Sequence, residues 1–386
     1  MSITRLLQQP VSLAQLDLFL IDLPQVGSFR SGIGVRNSRE ALIVKWTDRE
    51  GRVGYGECAC RPDPFYSGEY RDAAADVIQR FIAPFLKGEQ TYGDVITILK
   101  KVRGWNFTKA AVEAAMFQVV RQTTAINLSD FIAAKPIEKV PVGISLGIYK
   151  DKAECYEVVK KSIGEGFQRL KFKISPEVDT EIFDHINPLL FDNKIHTGFD
   201  ANGSFYEKDL DLFGYFAKTY DTVIEQPFPP NRFDVLLEAK RRFPNLKICA
   251  DEEVKSIGDL IKLHKLNAID ELNLKIGRVG GVVNSIEIMN YCNQHNIPCW
   301  IGGMFETGIG RVFNLEFAAH LPNAKAHDLS PSARYFLEDI IDPVVTMDKG
   351  FVPMESLRDC KVVEPLLEKY MTERRSVFDD IRFATS

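Results

Sequence analysis

The chain has 386 residues and a formal net charge of −5. That is long enough for one large core and a smaller second unit, since single cores stop growing near about 250–300 residues. The negative balance opposes broad attraction to phosphate backbones or anionic membranes and so excludes nucleic-acid binding as a primary role. No apolar run approaches the roughly 20 residues of a membrane-spanning helix, and the first residues alternate where a secretory leader would be continuously apolar; the expectation is a cytoplasmic protein. The cysteines, at 58, 60, 155, 249, 292, 299 and 360, form no CxxC pair, which argues against a zinc ribbon or redox centre.

In chain order, LAQLDLFLIDL, REALIVKWTD and RVGYGECAC alternate apolar and polar residues, and the last two flank the turn Asp48–Gly51. These predict a small antiparallel sheet. From Tyr70 to Ala134 the period becomes helical, in DAAADVIQRFIAPFL, YGDVITILKKV and TKAAVEAAMFQVVRQ. From Val140 to Asp342, β-rich runs alternate with helical ones: VPVGISLGI, RLKFKI, IHTGFDA, TVIEQP, KICADE, ELNLKI, IPCWIGGM and KAHDLS. Eight runs at about 25 residues each predict an α/β fold, a (β/α)-barrel in preference to an open sheet. The expected division is an α+β capping unit over 1–138, a barrel over 139–342, and a segment over 343–386 returning to the cap.

Catalytic groups of such barrels stand at the C-terminal ends of strands. There the sequence places Lys171 and Lys173, Asp200, Glu225, Asp251 and Lys275. Lys171 and Lys173 are two apart on one strand and leave the same face; inside a barrel that is unfavourable unless the site uses them, whereas a solvated edge strand would carry them without consequence. Asp200, Glu225 and Asp251 end three successive strands, and carboxylates converging on one axis repel unless a cation lies between them. An all-oxygen set selects a hard ion, Mg²⁺, with Mn²⁺ as a substitute. Lys275 is placed across the barrel from Lys171 and Lys173.

The order Lys-x-Lys, Asp, Glu, Asp, Lys resembles the muconate-lactonising branch of the enolase superfamily. The motifs FDANGSF, IEQPF, ADE, NLKIGRVGG, GGMFETGIGR and DLSPSARYF resemble o-succinylbenzoate synthases and N-acylamino acid racemases within it. The resemblance implies a (β/α)7β modified TIM barrel with an α+β cap and a homo-oligomeric enzyme acting on a small carboxylate. It implies substrate contacts at Asn202, Gly303, Met304, Ser330 and Ser332. Lys173 would be the base, Lys171 the neighbour that tunes it, and Lys275 the opposed group, with proton loss giving an enediolate. Dehydration to o-succinylbenzoate and racemisation of an N-acylamino acid use the same parts and both stay open. Ser330 stands where dipeptide epimerases carry a second Asp after Asp328, which lowers that alternative, and a barrel that has lost catalysis would lack metal binding. Two departures are Gln118, in place of the usual Asp, and SLRDCKVVE, in place of the usual Pro-Gly-Leu-Gly tail. The loops VGSFRSGIGVRNS and CRPDPFYSGEY have the composition of lids over the barrel mouth.

Overall fold

The computed structural model describes residues 2–31, 34–220 and 222–379, with the side chains of 27–31 and 34–36 outside the description. Three strands, β1 (Gln15–Ser31), β2 (Gly34–Thr47) and β3 (Val53–Cys58), form an antiparallel sheet, registered Leu16 opposite Trp46 and Val44 opposite Gly56. Asp48 closes the β2–β3 turn by accepting from the amides of Glu50 and Arg52, at 3.0 and 2.8 Å, while Gly51 takes φ +80°. Both faces of β1 are covered, with Leu16, Leu18 and Leu20 buried on one side and Phe19 and Ile21 on the other, and Asp17, buried with them, is paired by Arg374 at 3.0 Å.

Three helices follow: α1 (Arg71–Val77), α2 (Tyr92–Lys101) and α3 (Asn106–Thr124). The helical period over 72–86 predicts one continuous α-helix. The α-form ends at Val77, and a π-turn (Ile78–Ile82) and a 3₁₀ turn (Ala83–Phe85) complete the run, in which Pro84 has no amide hydrogen to continue the ladder. Helix α3 lies directly on β3. A Cβ on Gly56 would stand 2.0 Å from the carbonyl oxygen of Ala111, and the Tyr55 amide donates to Gln118 Oε1 at 3.0 Å. Gln118 thus fastens helix to strand.

Seven parallel strands come next, hydrogen-bonded in sequence order: β4 (Ile144–Leu146), β5 (Arg169–Lys173), β6 (His196–Asp200), β7 (Val223–Glu225), β8 (Lys247–Ala250), β9 (Glu271–Leu274) and β10 (Cys299–Ile301). The helices following them in turn are α4 (Lys152–Gly164), α5 (Thr180–Asp192), α6 (Leu210–Thr219), α7 (Phe233–Arg242), α8 (Ile257–Lys265), α9 (Val282–Gln294) and α10 (Gly308–Ala318). Side-chain caps from Asp151, Asp179 and Ser256 start α4, α5 and α8. This is a modified TIM barrel.

Two expected strands are corrected. VPVGISLGI divides, since Lys139–Pro141 pairs antiparallel with Phe351–Pro353 and only Ile144–Leu146 enters the barrel. KAHDLS, expected as the eighth strand, is reduced to a bridge between His327 and Val142. The His327 and Gly143 backbones exchange bonds with that side, and the Asp328 amide reaches Ile301 O at 3.1 Å. The Ile301 amide, however, donates to His327 Nδ1 at 2.9 Å. An imidazole there takes the place of a backbone acceptor, and the ladder goes no further. Burial holds that imidazole neutral, its pKa lowered to about 3.

The strand β11 (Met371–Asp379) pairs antiparallel with β1. Two buried carboxylates link the sheet and α3 to the barrel. Glu113 of α3 accepts from the amides of Val282 and Val283, the first turn of α9, at 2.9 and 3.0 Å. Glu57 of β3 accepts from the Thr307 amide and hydroxyl, at 2.9 and 2.7 Å, where α10 begins. Among the described residues no helix is long and apolar enough to cross a membrane.

Candidate active site

The C-terminal ends of the barrel strands open into a cavity of about 850 Å³, within the size range of small-molecule sites. Lys171, Lys173, Asp200, Asn202, Lys275, Gly303 and Met304 line it together with Arg61, Phe65, Tyr66, Glu252, Arg278, Arg311 and Asp328. The loop CRPDPFYSGEY supplies part of the roof. VGSFRSGIGVRNS, expected as a loop, is instead strand over 26–31 and 34–38, the ends of β1 and β2; it contributes Ser38 to the cavity, and its side chains at 27–36 lie outside the described ones.

Registry explains the lysines. On β5, Lys171 and Lys173 share the inward face, with Lys173 level with Asp200 of β6, which is in turn level with Glu225 of β7. Lys275 follows β9. Counting the His327 bridge as the eighth position, β5 and β9 are second and sixth, on opposite sides of the barrel, so Lys173 and Lys275 enter the cavity from opposite walls. Lys173 Nζ lies 3.2 Å from Asp200 Oδ2 and donates to Asn202 Oδ1. Lys275 Nζ lies 2.8 Å from Asp251 Oδ2. Asn202, with φ +45°, also donates to Glu252 Oε1 at 3.1 Å.

Below them Lys171 is buried, 2.6 Å from Asp328 Oδ2, 2.9 Å from Glu225 Oε2 and 3.4 Å from Asp200 Oδ2. Burial lowers its pKa, but Asp328, Glu225 and Asp200 outweigh that, so it is held well above the ordinary lysine value. Lys171 therefore stays charged. Burial would also raise Asp200, yet Lys173 and Lys171 hold it below the usual carboxylate range. Glu225 goes the other way, pushed up to about 8 by burial and then by Asp200. Asp328 lies nearer to Lys171 than Glu225 does, which leaves Glu225 short of positive charge.

The three carboxylates expected to converge are interleaved with cations instead. Among the described residues no three His, Cys, Asp or Glu side chains are grouped closely enough to hold a metal ion. Asp200 pairs with Lys171 and Lys173, Glu225 with Lys171, and Asp251 with Lys275 and Arg278. The donor set nonetheless fits a hard divalent cation. All three groups are buried carboxylates that could offer oxygen donors at the ends of adjacent strands, Glu225 lacks full neutralisation, and the buried Oε2 of neighbouring Glu252 has no hydrogen-bond partner among the described residues.

Asn202, Gly303 and Met304 line the cavity, and a Cβ on Gly303 would stand 2.5 Å from the Asp328 carbonyl oxygen. Ser330 and Ser332 do not. Both are buried, and Ser330 Oγ donates to Gly143 O at 2.9 Å, turned into the barrel wall because the short eighth position needs side-chain bonds to hold it. The tail SLRDCKVVE also stays off the cavity; Glu364 at its end pairs with Lys45 at 2.6 Å.

Strand-end reasoning missed Tyr66, Arg278 and Asn273. Arg278 donates to Asp251 and to the Tyr66 hydroxyl, and that hydroxyl donates to Glu252 Oε1 at 2.9 Å. Tyr66 comes from a distant loop, and no spacing would have found it. Arg278 is one helical turn after Lys275, and Asn273 lies two before it on the same strand face, so both had a local signal.

A barrel closed by eight positions, with opposed lysines and three strand-end carboxylates, defines an enzyme class, the enolase superfamily. Residues 154–357 match the family model described as Enolase C-terminal domain-like. An o-succinylbenzoate synthase of Enterococcus faecalis is 31% identical, over 88% of this chain and 92% of that protein. An N-succinylamino acid racemase of an Amycolatopsis species is 32% identical, over 89% and 93%. A crystal structure of an enolase-superfamily member from Listeria innocua superposes with a TM-score of 0.88 at 26% identity, covering 95% of this chain and 99% of that one. The chain belongs to the enolase superfamily, in the family that holds the o-succinylbenzoate synthases and N-succinylamino acid racemases.

Proposed function

We propose that the protein is a Mg²⁺-dependent o-succinylbenzoate synthase, dehydrating 2-succinyl-6-hydroxy-2,4-cyclohexadiene-1-carboxylate in menaquinone biosynthesis. The observation that carries this reading is the placement of Lys173 and Lys275 on opposite walls of one cavity above a buried carboxylate set. Asp200, Glu225 and Asp251 would hold the ion, with Mn²⁺ as a substitute. When bound, Mg²⁺ supplies positive charge against the charge that develops on the substrate carboxylate.

Lys173 Nζ takes the proton from the carbon bearing the carboxylate, leaving an enediolate. The hydroxyl on the neighbouring carbon then departs, and Lys173 returns the proton to it, so that water is released and the ring becomes aromatic. Lys171, held charged by three carboxylates, keeps positive potential beside Lys173 without competing for the proton. Lys275 stabilises the planar intermediate from the far face.

The same opposed lysines support a second reading, racemisation of an N-succinylamino acid, in which one lysine removes the α-proton and the other returns it to the opposite face. The deciding experiment measures kcat/KM of the purified enzyme with Mg²⁺ on the cyclohexadiene, followed by loss of diene absorbance, with Lys173→Ala as blank. Efficient turnover dependent on Lys173 supports the synthase. Its absence, together with loss of optical activity of an N-succinylamino acid, would replace the synthase by the racemase.

A further inference from the structure

The layer of side chains beneath the two opposed lysines differs from an ordinary barrel core. Each such layer takes four residues from alternate strands, and Val, Ile and Leu dominate it. Here the even positions contribute Lys171, Glu225, Asn273 and Asp328, and three contacts join them: Asp328 to Lys171 at 2.6 Å, Lys171 to Glu225 at 2.9 Å, and Asn273 Nδ2 to Glu225 Oε1 at 2.8 Å. Asn273 is to Lys275 what Lys171 is to Lys173, two residues earlier on the same inward face of the opposite strand. Glu225 is therefore gripped from both flanks, by an ammonium that reaches both its oxygens, 3.1 Å from Oε1 and 2.9 Å from Oε2, and by a carboxamide that adds a second donor on Oε1.

The carboxamide fixes Glu225 without adding charge. Its Nδ2 occupies one lone pair of Oε1 and leaves the negative charge of the group available, whereas a second lysine there would neutralise it. Gly302 makes room for the amide, since a Cβ at that position would stand 2.0 Å from Asn273 Oδ1 and 2.9 Å from Nδ2. Asn273 Oδ1, buried, has no partner among the described residues. A buried unpaired acceptor is unfavourable, and an apolar residue would fill the barrel without it, so stability of the fold does not account for the asparagine.

We infer that Asn273 is a positioning residue that orients Glu225 for the divalent cation, with Gly302 as the space that lets it do so. This rests on the metal reading above. The test measures the Kd of Mn²⁺ from the electron paramagnetic resonance signal of the free ion, for the full-length wild type, Glu225→Gln, Asn273→Leu and Asn273→Ser, alongside their melting temperatures. The expected result is a Kd about 10–100-fold weaker in both Asn273 variants, the usual effect of removing a partner that orients a ligand. Turnover lost at low Mn²⁺ should then recover as Mn²⁺ is raised. Folded Asn273 variants with wild-type Kd overturn the inference and leave the metal reading intact. Failure of both variants to fold gives Asn273 a structural role and overturns it as well. A wild type that does not bind Mn²⁺, or a Glu225→Gln that binds it equally well, removes the metal reading and this inference with it.

Discussion

Lys173 and Lys171 differ in surroundings more than their two-residue spacing suggests. Lys173 opens to the cavity, while Lys171 sits among three carboxylates with its charge fixed. Lys173→Ala should lower kcat/KM by about 10²–10⁴-fold, the range for loss of a general base, with an unchanged circular dichroism spectrum because the side chain adds little to the apolar core. Near-normal turnover would sink the assignment of the base. Asp251→Asn acts on different physics. It removes a proposed ligand and also leaves Lys275 and Arg278 without their shared counter-charge. Mn²⁺ affinity should fall, and the metal-free protein should lose about 3 kcal/mol in urea unfolding, as when one partner of a buried pair is removed.

At the scale of elements, the joint between α3 and its neighbours is defined by two features. Gly56 allows α3 to approach β3 until helix backbone and strand backbone nearly touch. Gly56→Ala should therefore destabilise by about 1–3 kcal/mol, the range for overpacking, read as a shift of the urea midpoint; no shift would mean that the joint has slack. Glu113 caps the start of α9 and is pushed up to about 7 by burial, against which the Val283 and Val282 amides and the Tyr92 hydroxyl pull only in part. Its folded pKa lies above the unfolded value of 4.5. Between those values the folded state holds a proton that the unfolded chain has released, so this contribution is complete below about pH 4.5 and is lost as pH rises through about 7. Glu113→Gln should lower stability throughout, because one amide loses its acceptor, yet flatten the decline across that window by up to about 1.4 kcal/mol per pH unit. An unaltered slope in melting curves would show that Glu113 titrates normally.

For the whole molecule, the cavity exists only because sheet and barrel are held together, since its roof comes from the loop after β3 and its floor from the barrel. Glu57 stands at that seam, bonding Thr307 at the start of α10 and Arg39 at 3.3 Å. Glu57→Leu leaves the Arg39 charge buried without its partner and should destabilise by about 3–5 kcal/mol. Unfolding followed both by Trp fluorescence and by loss of activity would report it, and coincident midpoints at the wild-type position would mean that the seam is held elsewhere.

The sequence by itself determined what is periodic. Alternation gave the sheet strands, three- and four-residue spacing gave the helices, and the repeat of strand-end polar residues brought Lys171, Lys173, Asp200, Glu225, Asp251 and Lys275 to one region, because strand period and barrel closure leave inward residues few places to go. Tertiary structure alone decided what depends on contacts between distant segments. The imidazole of His327 shortened the eighth strand, Ser330 turned into the wall, Tyr66 arrived from another layer, and the acidic set became interleaved with lysines. The physical reason is common to all four: a buried polar group takes whichever partner the completed fold brings within about 3 Å, and that partner is fixed by packing, which local sequence does not encode.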